Sequence, residues 1–171
     1  IYFTIFEIKR RTASGCQVFL RGIIRTTTQT IMSDILHHEC GIAFLRLKKP
    51  LQFYKDKYGT AFYGIQKMYL LMEKQHNRGQ DGAGLASIKL DVKPGERYIS
   101  RVRSNAPQAI QDVFVQINER ISEELKAHPE LADDVEAQKK NIPYIGEVFL
   151  GHVRYGTFGK NSIENVHPFL R

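Results

Sequence analysis

The chain has 171 residues, 42% hydrophobic and 25% charged. That is enough for one ordinary globular domain with its own core. No apolar run approaches the ~18–20 residues of a membrane helix, so no membrane role is expected. Two cysteines make no disulfide framework and point to a reducing, cytoplasmic setting. The net charge of +7 is uneven: residues 1–31 hold Lys9, Arg10, Arg11, Arg21 and Arg25 against Glu7 alone, a net +4. The remainder shows no phosphate-tracking stripe with interleaved aromatics, so no nucleic-acid partner is expected.

Residues 1–31 lack a starting Met, are poor in acids and contain Thr26-Thr27-Thr28-Gln29-Thr30. They read as a leader outside the native domain, with Met32 as the true start; the other reading is a transit peptide, which has this composition. Residues 32–39 read as a propeptide-like segment. Cys40-Gly41 follows, and Ile42–Leu47 is an apolar run suited to a buried strand. A cut before Cys40 would give one residue a thiol and a free α-amine. Such an amine has an unperturbed pKa of roughly 7.7–8.0, so it can take the thiol proton without a separate histidine. His37 and His38 are a poor chelate with Cys40, because neighbouring side chains in extended chain point to opposite faces.

Phe62, Ile65, Tyr69 and Met72 recur at helical spacing, and Gly79 is expected as the left-handed cap of that helix. Ala83–Leu90 is a second strand, Asp91–Gly95 a turn, and Arg97–Val102 a third strand. Ile110, Val113, Phe114, Ile117 and Ile121 mark an amphipathic helix. Residues 129–140 read as a polar helix with Leu131 and Val135 turned inward, and Val148–Tyr155 as a fourth strand. The fold class is therefore α/β in the broad sense (α+β).

Three further segments carry candidate chemistry. His76-Asn-Arg-Gly-Gln-Asp-Gly-Ala-Gly84 holds three glycines, which allow close backbone approach or merely a turn. Gly151-His-Val-Arg-Tyr-Gly-Thr-Phe-Gly159 runs from a strand into a glycine-flanked loop. Its Arg154 offers a planar fork for a carboxylate, or else a surface ion pair. Asn165-Val-His-Pro-Phe169 presents His167 in a loop.

Taken together these segments resemble the N-terminal-nucleophile glutamine amidotransferases and, among them, the amidophosphoribosyltransferase family in its Bacteroides-type form. Cys40-Gly-Ile is similar to the family's nucleophile segment. Arg78-Gly-Gln-Asp-Gly-Ala-Gly84 resembles its second signature, with Asn77 where His is usual. Gly151-His-Val-Arg-Tyr-Gly-Thr157 resembles the third, and Asn165–Phe169 a fourth, with His167 where Gln is usual.

The resemblance implies a four-layer αββα sandwich, present over residues 40–171 only as its N-terminal part. It implies Cys40 as the nucleophile that forms a glutamyl thioester. Arg154 would grip the glutamine α-carboxylate, Tyr155 and Thr157 would line that pocket, and Arg78 and Gly79 would hold the nucleophile's backbone and close the site. The family's oxyanion Asn-Gly and its phosphoribosyltransferase domain would lie beyond Arg171. Losing an oxyanion donor typically costs about 10²–10³ in rate, so this segment alone is expected to be inactive.

The implied partners are glutamine and, through the further domain, phosphoribosyl pyrophosphate, in a homo-oligomer. Mg2+ would serve that further domain. No cofactor is expected on these residues, and whether an iron–sulfur cluster exists is left open, since its cysteines would lie downstream. The family's usual length marks about Asn118 to Asn141 as an addition. Competing readings are another class II amidotransferase (glucosamine-6-phosphate synthase, asparagine synthetase or glutamate synthase) and a non-enzymatic basic binding fragment.

Overall fold

The computed structural model describes residues 3–5, 39–156 and 161–170. Five strands run in chain order: β1 (Phe3–Ile5), β2 (Gly41–Arg46), β3 (Gly82–Ile88), β4 (Ile99–Ser104) and β5 (Val148–Arg154). They form one antiparallel sheet in the order β1-β2-β5-β3-β4. Four α-helices accompany them: α1 (Leu51–Tyr58), α2 (Tyr63–Glu73), α3 (Ala109–Ala127) and α4 (Val135–Asn141). An antiparallel sheet with segregated helices is an α+β arrangement, as the sequence leads one to expect. Among the described residues no helix is long and apolar enough to cross a membrane.

The pleat decides which residues meet the helices. On β2, Gly41, Ala43 and Leu45 are buried, while Phe44 and Arg46 on the other face are exposed. Their β5 partners Val153, Gly151 and Phe149 continue the buried face. α2 lies against β2 and β5, and α3 against β3 and β4. Glycine sets how closely α2 approaches. A Cβ on Gly151 would meet the Met72 sulfur at 2.7 Å and Met68 Cε at 2.8 Å, and one on Gly64 would run into the Phe149 ring. Met68, Met72, Leu45, Leu85, Val113, Ile117 and Phe149 are almost wholly buried between helices and sheet. Each fully buried side chain of this size contributes about 1.5–3 kcal/mol through area removed from water.

The amphipathic stripe Ile110, Val113, Phe114, Ile117 and Ile121 is buried along α3 as its period requires. α1 ends at Gly59, whose φ of 76° is the left-handed cap, with its N–H donating to Lys55 O.

Three expectations are corrected. Gly79 is no left-handed cap: its φ of −166° and ψ of 124° are extended backbone, and a 3-10 turn, His76–Arg78, separates it from α2. Residues 129–140 are not one helix. A 3-10 turn, Pro129–Ala132, is followed by α4, which starts where Asp134 accepts a hydrogen bond from Ala137 N at 2.9 Å. A capping Asp stops the first element and starts the second; Leu131 and Val135 do face inward. The third strand is Ile99–Ser104, two residues later than expected. The Asp91–Gly95 turn holds, with positive φ at both of its ends.

The second sheet face is largely uncovered among the described residues. Phe44 and Leu150 are direct partners there and remain 37% and 38% exposed. Residues 161–170 cross only its Gly82–Gly84 end. A Cβ on Gly82 would meet Val166 Cγ2 at 2.8 Å, and one on Gly84 would fall on His167 O.

Met68→Ala should destabilise the chain by about 2–5 kcal/mol, since the cavity would open between α2 and β5 where the glycines leave nothing to collapse into it. Urea unfolding followed by circular dichroism checks this, with a lower midpoint expected at unchanged slope.

Candidate active site

The register of two strand pairs gathers the sequence candidates at one end of the sheet. Gly41 pairs with Val153, so Cys40, just before β2, stands beside the end of β5. On the other edge of β5, Gly82 pairs with Arg154 itself. The segments around residues 40, 80 and 154 therefore meet, although 115 positions separate Cys40 from Tyr155.

Cys40 is exposed and its thiol is free. The sulfur lies 3.4 Å from Tyr155 N, which donates to it, and 3.8 Å from Tyr155 O. Gly41, the next residue, is held by Gln75. Gln75 is 8% exposed, its Nε2 donates to Ile42 O at 3.3 Å, and a Cβ on Gly41 would collide with Gln75 Oε1.

Arg154 is 5% exposed, which separates it from a surface ion pair at a strand end. Its Nη1 donates to Asn161 Oδ1 at 3.4 Å. Its carbonyl accepts from Asp81 N at 3.0 Å, and Asp81 Oδ2 accepts from Gly156 N at 2.7 Å. The Asp81 carboxylate and the Arg154 guanidinium both border Gly156: a Cβ there would lie 3.1 Å from Asp81 Oδ2 and 3.4 Å from Arg154 Nη1.

Gly79 packs directly on the Arg154 main chain. A Cβ on Gly79 would lie 2.5 Å from Arg154 C and 2.8 Å from its N. Close approach, not a left-handed turn, explains glycine at this position. Arg78 is half-buried on the preceding 3-10 turn, which contacts β5. Thr157, Met32 and the pair His37 and His38 lie outside the described residues, as do most of residues 1–31.

The fourth candidate segment joins the site from the uncovered face. The His167 ring lies, tilted, 5.2 Å from His152 and 4.0 Å from Phe169, ring centre to ring centre. Arg103 holds the segment by donating to Val166 O at 3.0 Å. His152 sits between this segment and Arg154. Its Nδ1 is buried without a hydrogen-bond partner among the described residues. Burial first, then the neighbouring His167 and Arg154, push its pKa down to about 4, so the ring is neutral.

Asp81, Gln75 and His152 were given no role by sequence reasoning. Only the first carried a signal, an acid among three glycines. Gln75 and His152 act through burial, which no local pattern displays. Among the described residues no group of three or more His, Cys, Asp or Glu side chains could hold a metal ion.

The comparisons bear on what this arrangement serves. The chain is 26% identical over 137 residues to amidophosphoribosyltransferase 3, chloroplastic, of Arabidopsis thaliana, across 80% of the present chain. The chain spans only 18% of that relative's length. No protein-family profile matches it, and no solved structure does. The chain is thus distantly similar to a transferase of the amidotransferase type.

Two outcomes follow from the geometry. Gly79→Ala should cost about 1–3 kcal/mol, because a rigid main chain faces the new methyl group; thermal unfolding measures it. The second concerns acid. Folded His152 has a pKa of about 4 against an ordinary 6.5, so below pH 6.5 the unfolded chain takes a proton that the folded chain refuses. That stability is complete above about 6.5 and is lost as pH falls towards 4, by up to about 3 kcal/mol. Denaturant midpoints between pH 7 and 4 should show this slope, and His152→Gln should flatten it.

Proposed function

We propose that this chain is the N-terminal part of a glutamine amidotransferase domain of the amidophosphoribosyltransferase family, and that Cys40 hydrolyses glutamine. The carrying observation is the placement of an exposed thiol beside the Tyr155 main chain, next to the buried Arg154. The distant similarity to an Arabidopsis amidophosphoribosyltransferase supports the same reading.

The chemistry assigned to the residues is as follows. Cleavage of the Glu39–Cys40 bond frees the Cys40 α-amine, which takes the thiol proton. The thiolate attacks the side-chain amide carbon of glutamine. As the tetrahedral intermediate collapses, the C–N bond breaks and the amine returns its proton to the leaving nitrogen, releasing ammonia. Water then attacks the thioester, assisted by the same amine, giving glutamate and the thiol.

Arg154 binds the glutamine α-carboxylate through its fork, steadied by Asn161, and Tyr155 and Thr157 line the pocket. Arg78 and Gly79 hold the backbone around the nucleophile. The uncovered face with Phe44 and Leu150 supports a sandwich architecture in which a second sheet packs on it. Ammonia release serves phosphoribosylamine synthesis from phosphoribosyl pyrophosphate in purine synthesis, with homo-oligomeric assembly in the cytoplasm.

A glutamine-like diazoketone tests the site without needing turnover. In chain cleaved to begin at Cys40, mass spectrometry should find the label on Cys40 alone, and free glutamine should protect it. Arg154→Lys should raise the analogue concentration needed by at least about tenfold, because lysine cannot reproduce the bidentate contact. Labelling that ignores both glutamine and Arg154→Lys would refute the reading.

A further inference from the structure

The far end of the sheet from Cys40 carries a second feature. Lys89 follows β3 directly, a strand length of roughly 20 Å from the Gly82 end. It is 6% exposed. Among the described residues its ammonium makes one hydrogen bond, to Lys140 O at 3.3 Å. It lines a cavity of about 190 Å³ together with Arg97, Arg120, Lys140, Glu124 and Tyr144.

Four cations and one carboxylate, Glu124, line this cavity; of the cations, Lys140 also lies 3.6 Å from Glu96 and Arg120 4.0 Å from Glu123, pairs that solvent screens. The nearby acids already have cationic partners, one of them a cavity residue. Glu147 binds Lys139 at 2.6 Å and accepts from Leu90 N, and Glu96 lies 3.6 Å from Lys140. The adjoining cavity, walled by Arg101, Arg103 and Arg120, is balanced by Glu119 and Glu123.

A buried charge requires a partner, and among the described residues the Lys89 ammonium has one hydrogen-bond partner, a main-chain carbonyl. Burial, followed by Arg97 and Lys139, lowers its pKa against the opposing pull of Glu96 and Glu147, so the surrounding acids do not offset its desolvation. Tyr144, which walls the cavity, is held at a φ of 67°, a conformation rare outside glycine. Such strain collects at ligand sites. The cavity is smaller than the roughly 300–1,000 Å³ of drug-sized ligand pockets, so it fits a compact anion.

We propose that the cavity between Lys89, Arg97, Arg120 and Lys140 binds the phosphate group of a small molecule, either inorganic phosphate or a phosphomonoester. Lys89 supplies a point charge at the floor, and the two arginines offer planar forks at the rim. The residues come from the β3 end, the following turn, α3 and α4, so binding would tie the helical segment around residues 118–141 to the sheet. This does not depend on the chemistry of Cys40.

The test is calorimetry and thermal unfolding of the full chain with inorganic phosphate and with glycerol 3-phosphate, at ionic strength held constant with sodium chloride. Saturable binding is expected. Lys89→Gln should weaken it by at least about tenfold, the scale of a hydrogen bond to a charged group. Lys57→Gln, the same charge change on exposed α1, should leave it unchanged. Tighter binding of the ester than of phosphate identifies a phosphomonoester as the ligand, and equal binding identifies free phosphate. A non-saturating rise in stability, or equal losses in Lys89→Gln and Lys57→Gln, overturns the site as a counterion effect. Should Lys89→Gln fail to fold, Arg97→Gln carries the same comparison, since Arg97 is exposed.

Discussion

The site depends on the register between β2 and β5. Because side chains alternate along a strand, a slip of one residue would turn every one of them to the opposite face. Here Gly41 faces Val153, and the slip is blocked on both sides. Ala43, Leu45, Phe149 and Val153 must stay beneath the helices, and Gly41 and Gly151 must stay where only glycine leaves room for Gln75 and the two methionines. The core therefore fixes the register, and the register puts Cys40 beside Tyr155. β5 is central, with β2 on one edge and β3 on the other. One strand end can thus hold the cysteine segment and the glycine-rich segment at once.

Much of this was legible in the sequence. Apolar runs revealed β2, β3 and β5 to within two residues, because these strands are largely buried, and helical spacing revealed α2 and α3, because each turns one apolar face to the core. The errors share a cause. Gly79 looked like a helix cap because glycine commonly is one, but its role depends on Arg154, 75 positions away, a contact that local pattern cannot carry. The polar stretch after α3 looked continuous because its two buried residues, Leu131 and Val135, are a helical step apart; the Asp134 cap between them divides it. α1 gave no periodic signal, since only Leu51 and Tyr54 are buried along it. The buried polar side chains Gln75, His152 and Lys89 were invisible for the same reason, as burial of a polar group is a tertiary property.

The sheet's two ends differ in electrical character. At the Cys40 end each charge has close polar company: the Asp81 carboxylate receives the Gly156 N–H, and Arg154 donates to Asn161. At the Lys89 end cations outnumber the acids that face them. The Lys139–Glu147 pair marks the boundary, buried on both sides and satisfied further by Leu90 N. Removing either partner would strand a buried charge, a larger disturbance than losing any exposed pair on α3.

The contacts that shape the Cys40 end are mostly between main-chain atoms. Gly79 lies on the Arg154 backbone, Gly84 on the His167 carbonyl, and the cysteine sulfur against the Tyr155 amide. Geometry and reactivity are consequently carried by different atoms. The frame rests largely on the peptide chain, braced by Gln75, Asp81 and Arg103, whereas the Cys40 thiol hangs from it. Such a site can exchange its side chains while keeping its shape, which gives evolution, or a protein engineer, one cradle in which different chemical groups can be tried.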